Sequence, residues 1–291
     1  MRLTILGSGC PVAHPERFGP GTLVDAGPGA RILVDCGSGV TQRLVANGTP
    51  GRSLDGLLLT HLHSDHIIDL FQLVISSWHQ GRDKPWLIYG PYGTRRYVDG
   101  LMSLWHSELE QRIAHERRPS TLGLKLEVTE IAAGTELQFN SLKVTVVAVR
   151  HQPVKHAFGF IFRTPEATLA ISGDTTYCPE LIQAAQGVDL LVHEVFIHRA
   201  MPMVPSIRTT ETVSNVASYH TLETVVGKVA SEAQAKILML THFVPPTFDR
   251  DALLEIVRQD YTGHIFVSED GMTIDLVRRL VLWKEMRLIL P

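Results

Sequence analysis

The chain has 291 residues, of which 44% are hydrophobic and 20% charged, as in an ordinary folded protein that buries a sizeable core. Lys and Arg total 27 against 30 Asp and Glu, so the formal net charge of −3 gives nucleic-acid binding no support. No apolar run approaches the ~18 residues that span a bilayer, and MRLTILGSGC is typical of a first strand rather than a secretory signal. Three cysteines without a CxxC pair argue against a disulfide framework, so we expect no membrane association and a reducing, cytoplasmic location.

Apolar, β-branched runs alternate with helical patterns along the chain, and no repeat or linker divides it. We therefore expect one domain over residues 1–291, a layered α/β protein with mixed sheets. The predicted strands are residues 3–6, 31–34, 57–60, 86–89, 144–149, 158–162, 169–172, 190–192, 237–241 and 265–267. The predicted helices are residues 67–79, 94–109, 179–185, 221–233 and 250–259.

Five apolar runs end in a histidine or an acidic residue. The runs LDGLLLT, KVTVVAV, ATLAISG, DLLV and KILMLT lead, in that order, to His61, His151 (after Arg150), Asp174, His193 with Glu194, and His242. The carboxyl ends of strands line the ligand crevice of an open α/β sheet. The sequence therefore predicts that tertiary folding brings these side chains to one edge.

The densest signal is HLHSDH, at residues 61–66. Extended backbone directs residues i and i+2 to the same side, so His61 and His63 are placed to hold one ion. Asp65 and His66 stand where a helix begins and would reach a second ion beside the first. Imidazole and carboxylate favour Zn²⁺, with Mn²⁺ or Fe²⁺ as alternatives. The alternative without a metal is a run of surface histidines, or a helix cap at Asp65. A lone HxH motif would favour this alternative.

Three later strand ends supply the remaining ligands of a two-metal centre. His151 would complete the first site and His242 the second, while Asp174 would bridge ions that lie ~3.5–4 Å apart. His156 competes with His151, but the apolar strand that ends at Val149 presents His151 more directly. These ligands make a binuclear centre the better interpretation of the whole pattern.

The same residues resemble the metallo-β-lactamase fold, and the resemblance covers nearly the whole chain. It is carried by HLHSDH, His151, SGDT around Asp174 and LTHF around His242, with the opening ILGSG and DCGSGVTQRL from Asp35. The HEVF stretch at residues 193–196, the pair His220–Thr221, and YGPYGT at residues 89–94 are similar to the RNase Z and arylsulfatase-like branch.

The resemblance implies an α/β four-layer αβ/βα sandwich, two divalent metal ions, and hydrolysis of phosphodiester or sulfate ester bonds. Homodimers are common in this family, so we expect a homodimer. The resemblance also makes Glu194 and His220 a catalytic pair for proton transfer to the leaving group. We count Asp65 with them as a catalytic residue as well as a ligand. Asp35 is either a plain turn residue or a group that orients a ligand imidazole.

Two departures from the family matter for the substrate. RNase Z enzymes that process tRNA usually carry a long arm between the residues that correspond to His151 and Asp174, which here are 23 residues apart. The second departure is the long segment 196–218, with Met201, Pro202, Met203 and Pro205, which is either a pocket wall for a small apolar or aromatic substrate or an ordinary surface loop.

We therefore hypothesise a binuclear metal-dependent hydrolase of small anionic esters, either phosphodiesters or aryl sulfates. The two ions would lower the pKa of a water between them, so that it attacks as hydroxide near neutral pH. One alternative is an RNase Z-type endonuclease that processes the 3′ end of tRNA. The missing arm and the net charge argue against it. The other alternative is a non-catalytic metal- or ligand-binding module. The full ligand set and the Glu194–His220 pair argue against this module. Lactone or β-lactam hydrolysis is a further option within the fold.

Overall fold

The computed structural model describes residues 1–204 and 207–290. Two mixed β-sheets lie at its centre. The strands are β1 Arg2–Gly7, β2 Gly21–Asp25, β3 Arg31–Val34, β4 Gly56–Leu58, β5 Trp86–Gly90, β6 Leu126–Glu130, β7 Glu136–Phe139, β8 Leu142–Ala148, β9 Phe158–Arg163, β10 Thr168–Ile171, β11 Leu190–Phe196, β12 Ile237–Val244, β13 His264–Val267, β14 Thr273–Asp275, β15 Leu280–Trp283 and β16 Met286–Ile289. One sheet has nine strands in the order β16-β15-β14-β1-β2-β3-β4-β5-β6, and the other has seven in the order β13-β12-β11-β10-β9-β8-β7.

The inner faces of the two sheets pack against each other. Successive side chains of a strand point to opposite faces, so alternate apolar residues enter this central core. In β8, Val144 and Val146 belong to the central core, whereas Val147 faces the outer layer. In β11, Leu190 likewise points inward and Leu191 outward.

Helices cover the outer face of each sheet. The α-helices are α1 Val40–Ala46, α2 Ser64–Ile67, α3 Leu70–His79, α4 Thr94–Leu104, α5 His106–Glu116, α6 Pro179–Ala184, α7 Thr210–Ala217, α8 Val226–Glu232 and α9 Arg250–Val257. Apolar residues of α1, α3 and α4 pack on the nine-stranded sheet, and those of α6, α8 and α9 pack on the seven-stranded sheet. The layers therefore run helix, sheet, sheet, helix, which confirms the predicted α/β sandwich.

Two predicted helices differ most from the observed bounds. The pattern over residues 94–109 breaks at Trp105, whose ring stacks on Phe71 with the centroids 4.4 Å apart, so α4 and α5 are separate helices. The pattern over residues 221–233 becomes helical only at Val226, because Leu222 forms a β-bridge with Phe196 at the end of β11. Short or half-exposed elements, including α1, α7, β2, β6, β7 and β14 to β16, have no counterpart among the predicted elements.

The interval between His151 and Asp174 contains a tight hairpin. Strands β9 and β10 pair antiparallel, and the turn between them is closed by the Thr164 amide, which donates to the carbonyl of Ala167. The predicted absence of a long arm at this place is confirmed. Among the described helices, none combines the length and the apolar character needed to cross a membrane.

Candidate metal centre

The candidate site lies at one edge of the sandwich, where strand ends of both sheets meet. His61 follows β4 of the nine-stranded sheet, and His63 precedes the short helix α2, which carries Asp65 and His66. The other residues come from the seven-stranded sheet, where His151 follows β8, Asp174 follows β10, and Glu194 and His242 lie within β11 and β12. The structure thus brings together all seven residues that the sequence predicts as ligands.

One carboxylate oxygen stands at the centre of this cluster. Asp174 Oδ2 lies 3.4 Å from His66 Nε2, 3.5 Å from His242 Nε2, and 3.8 Å from Nε2 of both His61 and His151. A tetrahedral metal with ligands at about 2.0–2.1 Å separates neighbouring ligand atoms by about 3.3 Å. The observed spacings are close to that value, so the side chains fit divalent metal.

Two groups within the cluster correspond to the sites that the sequence predicts, and a third comprises Asp174, His220 and His242. His61, His63, His151 and Asp174 offer ligand atoms within 4.8 Å of one another, and so do Asp65, His66 and His242. Within the first group, His151 Nε2 lies 3.2 Å from His63 Nδ1. Across the second group, His66 Nε2 and His242 Nε2 are 3.3 Å apart, and His242 Nε2 is 3.4 Å from Asp65 Oδ2. Asp174 adjoins both groups.

The hydrogen bonds of three imidazoles show why a cation suits this cluster. Nδ1 of His66 donates to the Asp35 carboxylate at 2.8 Å, and Nδ1 of His151 donates to the Tyr219 carbonyl at 2.8 Å. His61 Nδ1 donates to Thr60 Oγ1 at 3.0 Å. In the neutral ring, a donating Nδ1 leaves a lone pair on Nε2.

These lone pairs converge on Asp174 Oδ2 rather than on a donor. His61 Nε2 is buried and has no hydrogen-bond partner within the described residues. Burial lowers the pKa of His61 well below its usual value and lowers that of His151, which favours the neutral rings that bind metal. Burial would raise the pKa of Asp174, but His242 and His66 outweigh it and hold the pKa well below its usual range. Burial would lower the pKa of His66 and of His242, but Asp174 outweighs it and raises both, so these two rings would release a proton when a cation binds. An ionised carboxylate among imidazole lone pairs is a donor set for a divalent cation.

Asp35 holds the first strand end in place. Its Oδ1 accepts the Thr60 amide at 2.8 Å, and its Oδ2 accepts both Thr60 Oγ1 and His66 Nδ1 at 2.8 Å. Because this carboxylate takes the Thr60 amide, β4 ends at Leu58 rather than at the predicted residue 60. Of the two interpretations left open for Asp35, the observed contacts support the one in which it orients an imidazole.

Local backbone strain directs two of the cluster residues. In the parallel pairing of β11 with β12, Glu194 is opposite Thr241 and Val195 is opposite Phe243, so His242 is the extra residue of a bulge. Its φ of 46° is left-handed, a conformation that costs about 1–2 kcal/mol for a residue with a Cβ. Gly173, before Asp174, has a φ of 60°, and a Cβ there would approach the Phe158 carbonyl oxygen to 2.5 Å.

Glu194 and His220 form a buried pair beside the cluster. His220 Nδ1 donates to Glu194 Oε1 at 2.9 Å and lies 4.0 Å from Asp174 Oδ2. Glu194 Oε1 also accepts the amides of Thr175 and Thr221. Burial would lower the pKa of His220, but Glu194 and Asp174 outweigh it and raise the pKa to about 9. The predicted position of His220 at a helix start is wrong, because α8 begins only at Val226.

Other histidines that the sequence singles out stand apart from the cluster. His156 is exposed and its ring packs edge-on against Tyr92, with the centroids 6.1 Å apart. His193 is buried within β11, and its Nδ1 donates to the carbonyl of Glu194 at 2.8 Å. His151, rather than His156, is the histidine that the structure places beside Asp174.

The segment 196–218 packs against the edge of the site. Phe196, Met201 and Val213 lie in a small apolar cluster with Cys10 and Val244. Pro205 and Ser206 lie outside the described residues. The segment therefore packs through apolar side chains against the loop that carries Cys10, as an ordinary surface loop with a packed apolar tip would.

Comparison with known proteins places the chain in a family. Residues 1–206 match the family model described as Anti-Pycsar protein Apyc1. A curated relative, Ribonuclease Z of Mycobacterium bovis (strain BCG / Pasteur 1173P2), is 34% identical over 275 residues, which cover 93% of this chain and 96% of the relative. The two sequences are thus similar along nearly their whole length.

Solved structures show the same fold at low sequence identity. The metallo-β-lactamase fold protein YhfI from Bacillus subtilis superposes with a TM-score of 0.73 at 20% identity, covering 94% of this chain and 97% of that one. Human tRNase Z, short form, superposes with a TM-score of 0.69 at 21% identity, covering 95% and 99%. With a family model over residues 1–206 and a relative matched along nearly its whole length, the chain belongs to the metallo-β-lactamase-fold hydrolases, in the family of the Anti-Pycsar protein Apyc1 and of Ribonuclease Z.

Proposed function

We propose that the protein is a binuclear metal-dependent phosphodiesterase that acts on small diesters. The observation that carries the proposal is the position of Asp174 Oδ2, which lies 3.4–3.8 Å from Nε2 of His66, His242, His61 and His151. One carboxylate that adjoins two groups of imidazoles is suited to bridge two ions. The first ion would be held by His61, His63, His151 and Asp174, and the second by Asp65, His66, His242 and Asp174.

Zn²⁺ suits this donor set best, because neutral imidazoles outnumber carboxylates and the spacings match tetrahedral geometry. Mn²⁺ and Fe²⁺ are the alternatives. When bound, a pair of such ions supplies an activated water and stabilises the negative charge that develops on the phosphorus oxygens. The rest of the chemistry falls to side chains of this chain.

Glu194 and His220 supply the proton for the leaving group. The Glu194 carboxylate holds the ring through its 2.9 Å bond to Nδ1 and favours the charged imidazolium. The other ring nitrogen, Nε2, makes no hydrogen bond to the described residues and is free to donate to a departing oxygen. A buried pair that only ties the 218–225 segment to β11 is the competing interpretation.

Phosphodiester rather than sulfate ester is the bond we assign, since the relatives include enzymes named Ribonuclease Z, which cleave a phosphodiester chain. The short β9–β10 hairpin is our reason for placing small diesters ahead of RNA, because it stands where the family's tRNA-processing enzymes usually carry an arm. The homodimer that the resemblance implies stays a prediction.

Cleavage of precursor tRNA is the second candidate function, and the names of the relatives favour it. Ribonuclease Z of M. bovis aligns over 96% of its own length, so it does not contain a long segment that this chain lacks. Because the two proteins are similar in length, the absence of a long arm from this chain is a weaker argument against an RNA substrate. The metal centre serves both functions equally, and the substrate has to be tested directly.

Metal content is the first test. We expect zinc-loaded protein to hold about two equivalents of metal, and Asp174→Ala to lower this content because the variant removes the bridging carboxylate. The matched control is Asp99→Ala on the exposed face of α4, which should keep the wild-type content. The measurement is metal analysis after gel filtration. A wild-type protein that stays metal-free after zinc or manganese loading would contradict the proposal.

Asp35 should tune the affinity for metal. Replacing a group that orients a ligand imidazole typically lowers metal affinity by about 10–100-fold, so we expect a loss of that size for Asp35→Ala. Thr60→Val, which removes the hydroxyl between His61 and Asp35, should give a smaller loss and serves if Asp35→Ala folds poorly. Competition with a chromogenic chelator measures the affinity, with Asp99→Ala as the control. An unchanged affinity in both variants would show that Asp35 is only a turn residue.

His220→Ala should lower kcat by about 10²–10⁴ and leave the metal content intact, since general-acid help is typically of that size. Glu194→Gln should give a smaller loss. Steady-state rates on diesters with leaving groups of graded acidity provide the measurement. The loss should shrink for very acidic leaving groups, which need no proton, and a purely structural role would not produce this dependence. Full activity of His220→Ala on a poor leaving group, or loss of its metal, would refute the assignment.

Substrate choice is tested with a panel of bis(4-nitrophenyl) phosphate, an aryl phosphate monoester, an aryl sulfate, a lactone, a cephalosporin and a precursor tRNA. We expect the diester to be hydrolysed most efficiently and the precursor tRNA to stay uncleaved, because the described structure has no arm to grip a folded RNA. Asp174→Ala serves as the control for contaminating nucleases. Efficient cleavage of the precursor at one site by the wild type alone would establish the second candidate function instead.

A further inference from the structure

A buried carboxylate outside the candidate metal centre holds the loop between β1 and β2. The side chain of Asp270 is 2% exposed and lies in the turn between β13 and β14. Its Oδ1 accepts the amide of Ser8 at 2.9 Å and the hydroxyl of the same residue at 2.8 Å, and its Oδ2 accepts the amide of Phe18 at 2.8 Å. The guanidinium of Arg43 in α1 lies 3.5 Å from Oδ2. Asp270 therefore joins the β1–β2 loop and α1 to the turn after β13.

Ser8 connects this carboxylate to one of the ligand histidines. Ser8 is fully buried, and its carbonyl accepts the amide of Phe243 at 3.0 Å. Phe243 directly follows His242, the extra residue of the β-bulge in β12. The amide of Ser8 thus donates to Asp270 while its carbonyl accepts from β12, so the position of the backbone after His242 depends on how firmly Asp270 holds Ser8.

A second chain of contacts reaches the backbone on the other side of the bulge. Arg17 Nη1 donates to Ser8 Oγ at 2.8 Å and to the Ser268 carbonyl at 2.9 Å. The Ser268 amide in turn donates to the carbonyl of Leu240 at 3.0 Å. The Arg17 guanidinium also lies over the ring of Phe243, 4.6 Å from its centroid. The contacts that meet at Ser8 therefore anchor β12 both before and after the bulge.

His242 needs such anchors more than the other buried ligand histidines do. Nδ1 makes a hydrogen bond in each of the rings of His61, His66 and His151. Nδ1 of His242 is buried and makes no hydrogen bond to the described residues. The direction of this imidazole is therefore set through its backbone, whose φ of 46° is left-handed. A residue with a Cβ keeps that strained conformation only when the surrounding structure enforces it.

We propose that Asp270 is a positioning residue for the second metal ion. It acts through Ser8 and the amide of Phe243, which together hold the bulge so that the His242 imidazole stays directed towards Asp174. This inference rests on the binuclear centre of the function proposed above. None of the hydrogen bonds of Asp270 goes to a ligand-type residue of the centre, so its effect is confined to the ion that His242 would hold.

Asp270→Asn tests this role, and Asp189→Asn is its matched control. The amide keeps the shape of the side chain but replaces one acceptor oxygen by a donor, so it cannot accept all three hydrogen bonds. Asp189 likewise accepts the amide and the hydroxyl of a single residue, Thr168, at 2.7 Å and 3.0 Å. It directly precedes β11, at the end of that strand remote from Glu194. Both variants should lose stability, but only Asp270→Asn should lose affinity for metal.

The measurement is the pair of stepwise zinc dissociation constants, obtained by competition with a chromogenic chelator. We expect Asp270→Asn to weaken binding of one zinc equivalent by about 10–100-fold, the usual loss when a group that holds a metal ligand in place is removed. The other equivalent should bind as in the wild type, because His61, His63 and His151 do not depend on the bulge. Ser8→Ala, which removes the hydroxyl bonds to Asp270 and Arg17, should give a smaller loss and decides the matter if Asp270→Asn does not fold.

The outcomes separate this inference from the proposed function. If the wild type binds no metal, the binuclear function fails and the role of Asp270 fails with it. If the wild type binds two ions and Asp270→Asn keeps both affinities, weakens both equally, or loses no more than Asp189→Asn, the positioning role is overturned and the binuclear function stands. A loss confined to one equivalent in Asp270→Asn and Ser8→Ala, and absent from Asp189→Asn, supports the role, because general destabilisation of the fold would not single out one ion.

Discussion

The rest of the structure depends on one constraint, which is that several imidazole nitrogens are held close to a single carboxylate oxygen of Asp174. The ligand-type atoms around Asp174 Oδ2 lie 3.4–3.8 Å from it and do not form a self-sufficient hydrogen-bond network. Such an arrangement persists only when its surroundings enforce it. The enforcement comes from two sheets packed face to face with helices outside, because only rigid strand ends hold groups from such distant parts of the chain so close.

Strain is concentrated at the same edge. His242 and Asp35 both have left-handed backbone, at φ 46° and 60°, although neither is glycine. The β-bulge turns the His242 imidazole into the cluster, and the turn at Asp35 lets one carboxylate serve Thr60 and His66 together. The left-handed backbone of each residue destabilises the fold by about 1–2 kcal/mol, and burial of the apolar layers offsets this cost. A chain selected for stability alone would have no use for this geometry.

The sequence predicts the layered α/β class well, and it also predicts which side chains meet around Asp174, because both depend on short-range signals. The six residues HLHSDH indicate both the end of a strand and the start of a helix, and apolar runs identify β8 and β9. Tertiary contacts decide what local patterns cannot. The helix predicted from residue 221 starts at Val226 because Leu222 pairs with Phe196, and the role of Asp35 emerges only when Thr60 and His66 fold against it.

Specificity in such a protein has to come from outside the metal centre. Two cations treat any phosphodiester alike, because they respond to the charge on the phosphorus oxygens and to the leaving oxygen. A folded RNA is bound through many phosphate contacts, each of which needs a cation or an amide donor remote from the reacting bond. Beside Asp65, the one Arg or Lys that lines the adjoining surface among the described residues is Arg17, and its guanidinium is already bound to Ser8 and Glu269. The relatives named Ribonuclease Z and a small-diester hydrolase can therefore share one centre, and the difference between them lies in the walls around it.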